Sequence, residues 1–227
     1  MSETKLQHLG IIIDGNRRWA KARSLPSFEG HRAGYKKISE VLDWCREIEI
    51  KTLTIFAFST ENWKRSTEEV SGLMGLVKLL FTEDFKKLHE KNVCVKVLGK
   101  KDGLDPALQK AIKEVEDLTV GNSALTLNLA INYGGRQELV DAFNKLLKNP
   151  PAEVTEEIIE QNLYTAGQSD PDLIIRTSGE LRTSGFLLWQ GAYSELYFCQ
   201  HNWPDFSRQD FDVACNEFIN RQRRFGQ

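Results

Sequence analysis

The sequence lacks the features that would assign it to several large classes of protein. No apolar run approaches the roughly 20 residues that a membrane helix needs, and the opening MSETKLQ is polar rather than signal-like. Its 30 basic residues nearly balance 32 acidic ones, for a net charge of −2. Such a balance does not favour a general nucleic-acid binder. We therefore expect a cytoplasmic protein that does not bind nucleic acid.

Cysteine is scarce, and its spacing argues against the common kinds of cysteine site. The four cysteines lie far apart and form no CxxC pair. Three of them occur in apolar or helical surroundings, WCRE, VCVKV and VACNEF. This placement favours buried free thiols over disulfides or a zinc site.

Repeats, low-complexity tracts and Gly/Ser linkers are absent as well, which favours one domain over residues 1–227. Short apolar runs alternate with helical patterns along the chain. The predicted strands cover 9–14, 52–59, 93–99, 124–132, 172–177 and 186–190, and the predicted helices cover 31–48, 67–91, 105–119, 135–148, 155–164 and 207–224. This alternation predicts an α/β fold with an open, mostly parallel six-stranded sheet and helices on both faces. Ligands of such sheets bind beyond the carboxyl ends of the strands.

The first predicted strand ends in a segment suited to an anion, DGNRRW. Gly15 permits a close backbone approach, the helix start that follows offers N–H groups, and Arg17 and Arg18 add charge. Asp14 suits Mg²⁺, which uses one or two carboxylates together with phosphate oxygens. A helix-capping aspartate beside surface arginines would leave the same pattern. An aspartyl phosphatase is disfavoured because Asn16 stands where a second aspartate is expected.

Two further strand ends carry polar groups. FAFSTENWKR places Ser59, Asn62 and Arg65 after the second strand. RTSGELRTSGFLLWQGAYSELYF places Arg176 at a strand end, with Arg182, Ser184 and Glu195 after it, a set that suits a diphosphate with its metal. Helix caps and salt-bridged loops would look similar. We expect all these groups at one edge of the sheet.

Taken together, HLGIIIDGNRRWA, FSTENWKR, NYGGR, RTSGELRTSGFLLWQGAYSELYF and the closing RRFG resemble the cis-prenyltransferases, typified by undecaprenyl diphosphate synthase. The resemblance spans nearly the whole chain. It implies a hydrophobic tunnel, a homodimer and Mg²⁺-dependent condensation of isopentenyl diphosphate onto an allylic diphosphate such as farnesyl or geranyl diphosphate. It also implies a polyprenyl product of undecaprenyl-like length for lipid-carrier synthesis, and loose membrane association through that product.

The resemblance also assigns roles to individual residues. Asp14 and Asn62 would be catalytic, and Asp14 and Glu195 would bind the metal. The family's tail motif, here Arg224-Phe225-Gly226, would reach the partner subunit's site. The substrate-binding positions would be Gly15, Asn16, Arg17, Arg18, Trp19, His31, Ser59, Thr60, Glu61, Trp63, Arg65, Arg176, Arg182 and Ser184.

The sequence departs from the family pattern in three places. Ser27 stands where an arginine for the allylic diphosphate is usual, and Arg23 is a candidate substitute. Gly185 replaces a usual asparagine and Ser66 a frequent proline. These changes bear on substrate preference and loop mobility.

Two alternatives stay open within this fold. A short-chain cis-prenyl diphosphate synthase would differ only in tunnel volume near Ala57, the 67–91 helix and the 124–132 strand. That helix carries an apolar stripe that could line the tunnel or simply face the core: Val70, Leu73, Met74, Val77, Leu80 and Phe81. A non-catalytic partner subunit is disfavoured because the chain keeps the metal acid and the phosphate arginines.

Overall fold

Leucine-rich and β-branched segments form a six-stranded sheet in the computed structural model, which describes residues 5–221. The strands are β1 (His8–Ile12), β2 (Thr52–Ser59), β3 (Val93–Leu98), β4 (Leu125–Tyr133), β5 (Leu173–Arg176) and β6 (Glu195–Phe198). All five neighbouring pairs are parallel, in the order β3-β4-β2-β1-β5-β6. The α/β class and the six-stranded parallel sheet are thus confirmed.

Within residues 5–221, eight α-helices connect and cover the strands. They are α1 (Asn16–Ala22), α2 (Ser27–Glu47), α3 (Thr67–Leu79), α4 (Phe85–Glu90), α5 (Pro106–Thr119), α6 (Gly135–Lys148), α7 (Glu156–Glu160) and α8 (Arg208–Asn220). A π-helical turn, Leu80–Asp84, interrupts the long helix predicted over 67–91. The helix predicted over 155–164 ends early, at Glu160. Short 3-10 turns lie at Thr60–Lys64 and Trp203–Asp205.

The core has two parts, one on each face of the sheet. The larger part packs side chains such as Leu9, Ile11 and Ile55 against the covering helices. The smaller part, on the opposite face, includes Phe56 and Phe186, whose rings stack 5.0 Å apart. Since both faces are buried, the strands read as continuous apolar runs rather than as alternating patterns.

The strand predicted at 186–190 is wrong. Residues 184–193 form turns, and the sixth strand lies at Glu195–Phe198. Leu187 has a positive φ of 44°, and its carbonyl accepts a hydrogen bond from the Gly191 N–H. Phe186 and Leu187 are nevertheless buried. A short apolar run predicts burial, but it does not by itself distinguish a strand from a buried turn.

The predictions about cysteine and membrane spans have clear outcomes. All four cysteines are buried free thiols, as the sequence predicts. Among the described helices, none has both the length and the apolar character that crossing a membrane would require.

Candidate active site

The carboxyl ends of β1, β2 and β5 open into one cavity of about 1160 Å³. This volume slightly exceeds the roughly 300–1,000 Å³ of a typical small-ligand pocket. Most of the predicted site residues line it: Asp14, Gly15, Asn16, Arg17, Arg18, His31, Ser59, Glu61, Asn62, Arg65, Arg176, Arg182 and Ser184. Parallel strands bring these distant segments together because their carboxyl ends meet at one edge.

Asp14 lies at the mouth of the cavity between two arginines. Its Oδ2 accepts a hydrogen bond of 2.8 Å from Arg176 and lies 3.5 Å from an Arg18 nitrogen. Its Oδ1 accepts one of 2.7 Å from the Gly15 N–H. Burial disfavours the charged form, but Arg176, the Gly15 N–H and Arg18 together hold the pKa of Asp14 below its usual value. The carboxylate is therefore ionised at neutral pH.

The turn after Asp14 depends on glycine at two places. Gly15 has a φ of +99°, a left-handed conformation that glycine adopts without a steric penalty. On α2, a Cβ at Gly30 would lie 2.0 Å from the Asn16 carbonyl oxygen. The absence of that Cβ lets the Asp14 turn pack directly against α2.

The segment after β5 presents a second cationic group. Arg176 is 5% exposed and donates to the Arg182 carbonyl at 2.6 Å and the Ser184 hydroxyl at 2.9 Å. Its Nε is buried without a hydrogen-bond partner among the described residues. Arg18 and Arg182 both pair with Glu180. The arrangement concentrates fixed positive charge beside Asp14.

Glu69 joins a third group of cations, and the sequence reasoning missed it. Its carboxylate lies 2.8 Å from Arg65, 3.2 Å from His31 and 3.7 Å from Arg17. Burial lowers the pKa of His31, Glu69 raises it, and Arg65 and Arg17 lower it, with a net decrease. The TEEV sequence of Thr67, Glu68 and Glu69 is fully explained by a helix start, so only the tertiary contacts identify Glu69.

The end of β2 forms a rigid turn at the cavity edge. The Ser59 N–H donates to the Asn62 side-chain oxygen at 3.1 Å, which completes a capping box for the 3-10 turn. Trp63 instead packs edge-on against Phe58 and donates to Asn132 at 2.8 Å. Trp63 and Thr60, which belong to the same 3-10 turn, do not line the cavity.

Trp19 and Arg23 point to a different partner. Both donate to Asp205, at 2.7 and 3.0 Å, and the Arg23 guanidinium lies 4.4 Å from the Trp19 ring centre. Neither lines the cavity, whereas Lys21 does. The structure thus gives Arg23 partners outside the cavity, and its substitution for the missing arginine at Ser27 stays a prediction.

Glu195 lies at the amino end of the sheet, opposite to the end that carries Asp14. It begins β6 opposite Leu173, and Leu173 in turn lies opposite Leu9 at the start of β1. Its Oε2 accepts a hydrogen bond of 2.8 Å from Arg221. The expectation that Glu195 lies with Asp14 at the carboxyl end of the sheet is wrong within one chain, because Glu195 is the first residue of its strand and not the last. Its role as a metal ligand stays a prediction, and the tail 224–226 lies outside the described residues.

Apolar side chains line the inner part of the cavity. Ala57, Leu129 and Ile131 contribute from the sheet. From α3 and the π-helical turn come Leu73, Leu76, Val77, Leu80 and Phe81. Of the predicted stripe, Val70 and Met74 pack against the core instead, and Leu76 is an addition. The site thus combines an anion-binding mouth with an apolar interior.

Comparison with known proteins finds a matching family and similar proteins. The sequence profile described as "Putative undecaprenyl diphosphate synthase" matches residues 12–226. The chain is 48% identical to an isoprenyl transferase of Thermotoga maritima over 224 residues, covering 97% of this chain and 96% of that one. It is 44% identical to an isoprenyl transferase of Neisseria gonorrhoeae over 220 residues, with coverages of 97% and 89%.

Two solved structures are similar along their whole length. One is lavandulyl diphosphate synthase from Lavandula x intermedia in complex with dimethylallyl diphosphate, with a TM-score of 0.95, 35% identity and full coverage of both chains. The other is a probable undecaprenyl diphosphate synthase from Campylobacter jejuni, with a TM-score of 0.84 and 34% identity, covering 99% of this chain and 100% of that one.

The fold, the site and these similarities define a transferase that elongates prenyl chains. Within that class, the chain belongs to the undecaprenyl diphosphate synthase family of cis-prenyltransferases.

Proposed function

We propose that this chain uses Mg²⁺ to condense isopentenyl diphosphate onto an allylic diphosphate, adding units with cis double bonds until a polyprenyl diphosphate of undecaprenyl-like length is made. The observation that carries the proposal is an ionised aspartate among arginines at the mouth of a large cavity with apolar side chains in its inner part. Such a cavity suits a substrate with a charged head and an apolar tail that grows. A cytoplasmic location, loose membrane association through the lipid product and lipid-carrier synthesis stay predictions.

Two diphosphates can be assigned to two sets of these cavity residues. The turn of Gly15, Asn16, Arg17 and Arg18, with His31, would hold the allylic diphosphate. Arg176, Arg182 and Ser184 would hold isopentenyl diphosphate. Arginine donors suit phosphate oxygens because their hydrogen bonds are charge-assisted and can be bidentate. The Nε of Arg176, which has no partner within residues 5–221, is a further donor on this side.

Asp14 fits the proposed Mg²⁺ ion. One ionised carboxylate beside groups that bind phosphate is the kind of donor set that Mg²⁺ uses with a phosphate substrate. When bound, the ion would neutralise negative charge that develops on the leaving diphosphate. Ser59 and Asn62 would order the reacting ends, and the apolar walls would keep water away from the reacting carbons.

Product analysis tests the proposal. Purified protein would be incubated with Mg²⁺, farnesyl or geranyl diphosphate and labelled isopentenyl diphosphate, and products separated by length. We expect long labelled chains from the wild type and none from Asp14→Ala. An Asp205→Ala variant is a matched control, because it removes an aspartate outside the cavity lining. Failure of the wild type to incorporate label with either starter would favour a non-catalytic partner subunit.

A short-chain synthase is the second candidate. The similarity in structure to lavandulyl diphosphate synthase, with its TM-score of 0.95, favours it. The identity of 48% to a bacterial isoprenyl transferase favours chain elongation. The same assay decides between them, since a short-chain enzyme would stop after one added unit.

We also propose a homodimer that forms through α6. Val140, Phe143 and Leu147 are 50%, 49% and 77% exposed, and they recur at spacings of three and four on one face of the helix. The exposed Leu188 lies beside the start of α6, since a Cβ at Gly135 would lie 2.6 Å from the Leu188 Cβ. Exposed patches of this kind mark protein interfaces. Light scattering should report a dimer for the wild type and a monomer for Leu147→Glu.

A further inference from the structure

One contact joins α2 to α3, and a second joins α2 to the π-helical turn that follows α3. At the first, a Cβ at Gly72 would lie 3.0 Å from the Phe28 ring. At the second, the Tyr35 hydroxyl donates a 2.5 Å hydrogen bond to Asp84 Oδ2. Between these two contacts, side chains of both segments line the cavity, including His31 and Gly34 from α2 and Leu73, Leu76 and Val77 from α3.

The π-helical turn follows α3 directly. Leu73, Leu76, Val77 and Leu80 line the cavity, and Asp84, the last residue of the turn Leu80–Asp84, accepts the hydrogen bond from Tyr35. Turns of this type are rare and often occur at functional sites. Their extra residue per turn changes which side chain faces the neighbouring helix, and here that side chain is Asp84.

The Tyr35–Asp84 contact has the chemistry of a strong hydrogen bond. Burial, with help from Asp84, raises the pKa of the Tyr35 hydroxyl, which therefore stays a donor. Lys87, at 2.7 Å, and Tyr35 lower the pKa of Asp84, which therefore stays an ionised acceptor. A neutral donor facing a carboxylate forms a charge-assisted bond. Tyr35 also lines the cavity and packs against the larger core.

We propose that the Tyr35–Asp84 hydrogen bond closes the cavity wall between α2 and α3 and thereby limits the length of the prenyl product. The inference rests on the proposed chain elongation. A prenyl chain that grows from the cavity mouth fills the space that the apolar side chains of α2 and α3 line, and growth ends when its tail meets a wall that does not move. Without the bond, the π-helical turn can move away from α2, which gives the tail more room.

The experiment compares product lengths between variants that differ by single groups. Tyr35→Phe keeps the ring and removes the hydroxyl, and Asp84→Ala removes the acceptor from the other side. Tyr164→Phe is a matched control, because its hydroxyl also donates to an aspartate, Asp141, but lies outside the cavity lining. Lys87→Ala controls for the exposed ion pair that Asp84→Ala also removes.

We expect Tyr35→Phe and Asp84→Ala to shift the main product to chains longer by at least one isoprene unit, with both controls at the wild-type length. Unchanged or shorter products from both variants would overturn the inference, as would an equal shift in Tyr164→Phe. If Tyr35→Phe does not fold, as judged by its melting temperature, the partly exposed Asp84→Ala decides alone. If the wild type elongates prenyl chains, the variants test this inference. If the wild type adds no unit, the proposed function is overturned, and this inference with it.

Discussion

Two carboxylates follow parallel strands in this protein, and their surroundings are opposite. Asp14 comes two residues after β1 and faces Arg176 and Arg18. Glu138 lies in the first turn of α6, directly after β4, and is 1% exposed. It accepts hydrogen bonds from the Tyr133 hydroxyl at 2.6 Å, the Tyr164 N–H at 2.9 Å and the Gln190 amide at 3.0 Å.

The difference shows in the protonation of the two groups. Arginines outweigh burial at Asp14, and the pKa falls. At Glu138 burial outweighs the neutral donors and the distant Lys145, and the pKa rises. A carboxylate held by cations at a cavity mouth is available for a metal and an anionic substrate. Glu138, by contrast, is enclosed by neutral donors. Its hydrogen bonds connect β4 and α6 to the segments around Tyr164 and Gln190, and its function is structural.

Asp14→Asn should have the largest effect. Loss of the negative charge removes the proposed metal ligand, and we expect kcat/KM to fall by about 10² or more, as for loss of one electrostatic stabiliser of a transition state. Because the pKa of Asp14 is lowered on folding, its stabilising contribution is present near neutral pH and is lost as the pH falls through that pKa. The deficit of the variant in urea unfolding should therefore shrink in acid. Wild-type activity in Asp14→Asn would contradict this account.

Glu69→Gln should have an intermediate effect. The Glu69 carboxylate holds Arg65, His31 and Arg17 in place, and one lost charged hydrogen bond costs ~1.5–3 kcal/mol. We expect the KM for the allylic diphosphate to rise by about tenfold. A fall in this KM would show instead that Glu69 competes with the diphosphate for the arginines.

Glu138→Gln should change stability and leave activity intact. The amide keeps most hydrogen bonds, so we expect a loss below about 1.5 kcal/mol in acid. Since folding raises the pKa of Glu138, the wild type loses stability as the pH rises through that value, and glutamine does not titrate. Urea unfolding should thus show the deficit of the variant shrinking towards alkaline pH, the reverse of Asp14→Asn. A deficit that grows with pH would show that Glu138 is charged and stabilised in the fold.

The smallest effect is expected from Arg23→Ala. Because Arg23 is occupied by Asp205 and Trp19, we expect its loss to leave the KM for the allylic diphosphate unchanged. Lys21→Ala should raise that KM, because Lys21 lines the cavity. Steady-state kinetics on both variants separates the two cations, and the opposite ranking would support Arg23 as the substitute at Ser27.

The sequence could predict the sheet and the mouth of the site because both follow from local patterns. Apolar runs specify buried strands, and residues that end parallel strands must share an edge, which is why Asp14, Ser59 and Arg176 were found. The sequence misplaces Glu195 because the apolar run FLLWQ has the pattern of a last strand. The true strand begins at Glu195 itself, and this reverses its position.

By itself, then, the sequence determined the α/β class, the anion-binding segments and the family resemblance, since each depends on residue order within short segments. Only the tertiary structure decided three contacts. Glu69 contacts three basic side chains, Arg23 pairs with Asp205, and Tyr35 donates a hydrogen bond to Asp84. These contacts join residues 38, 182 and 49 positions apart. Their existence depends on how whole helices pack against the sheet, and no periodicity within a segment specifies that geometry.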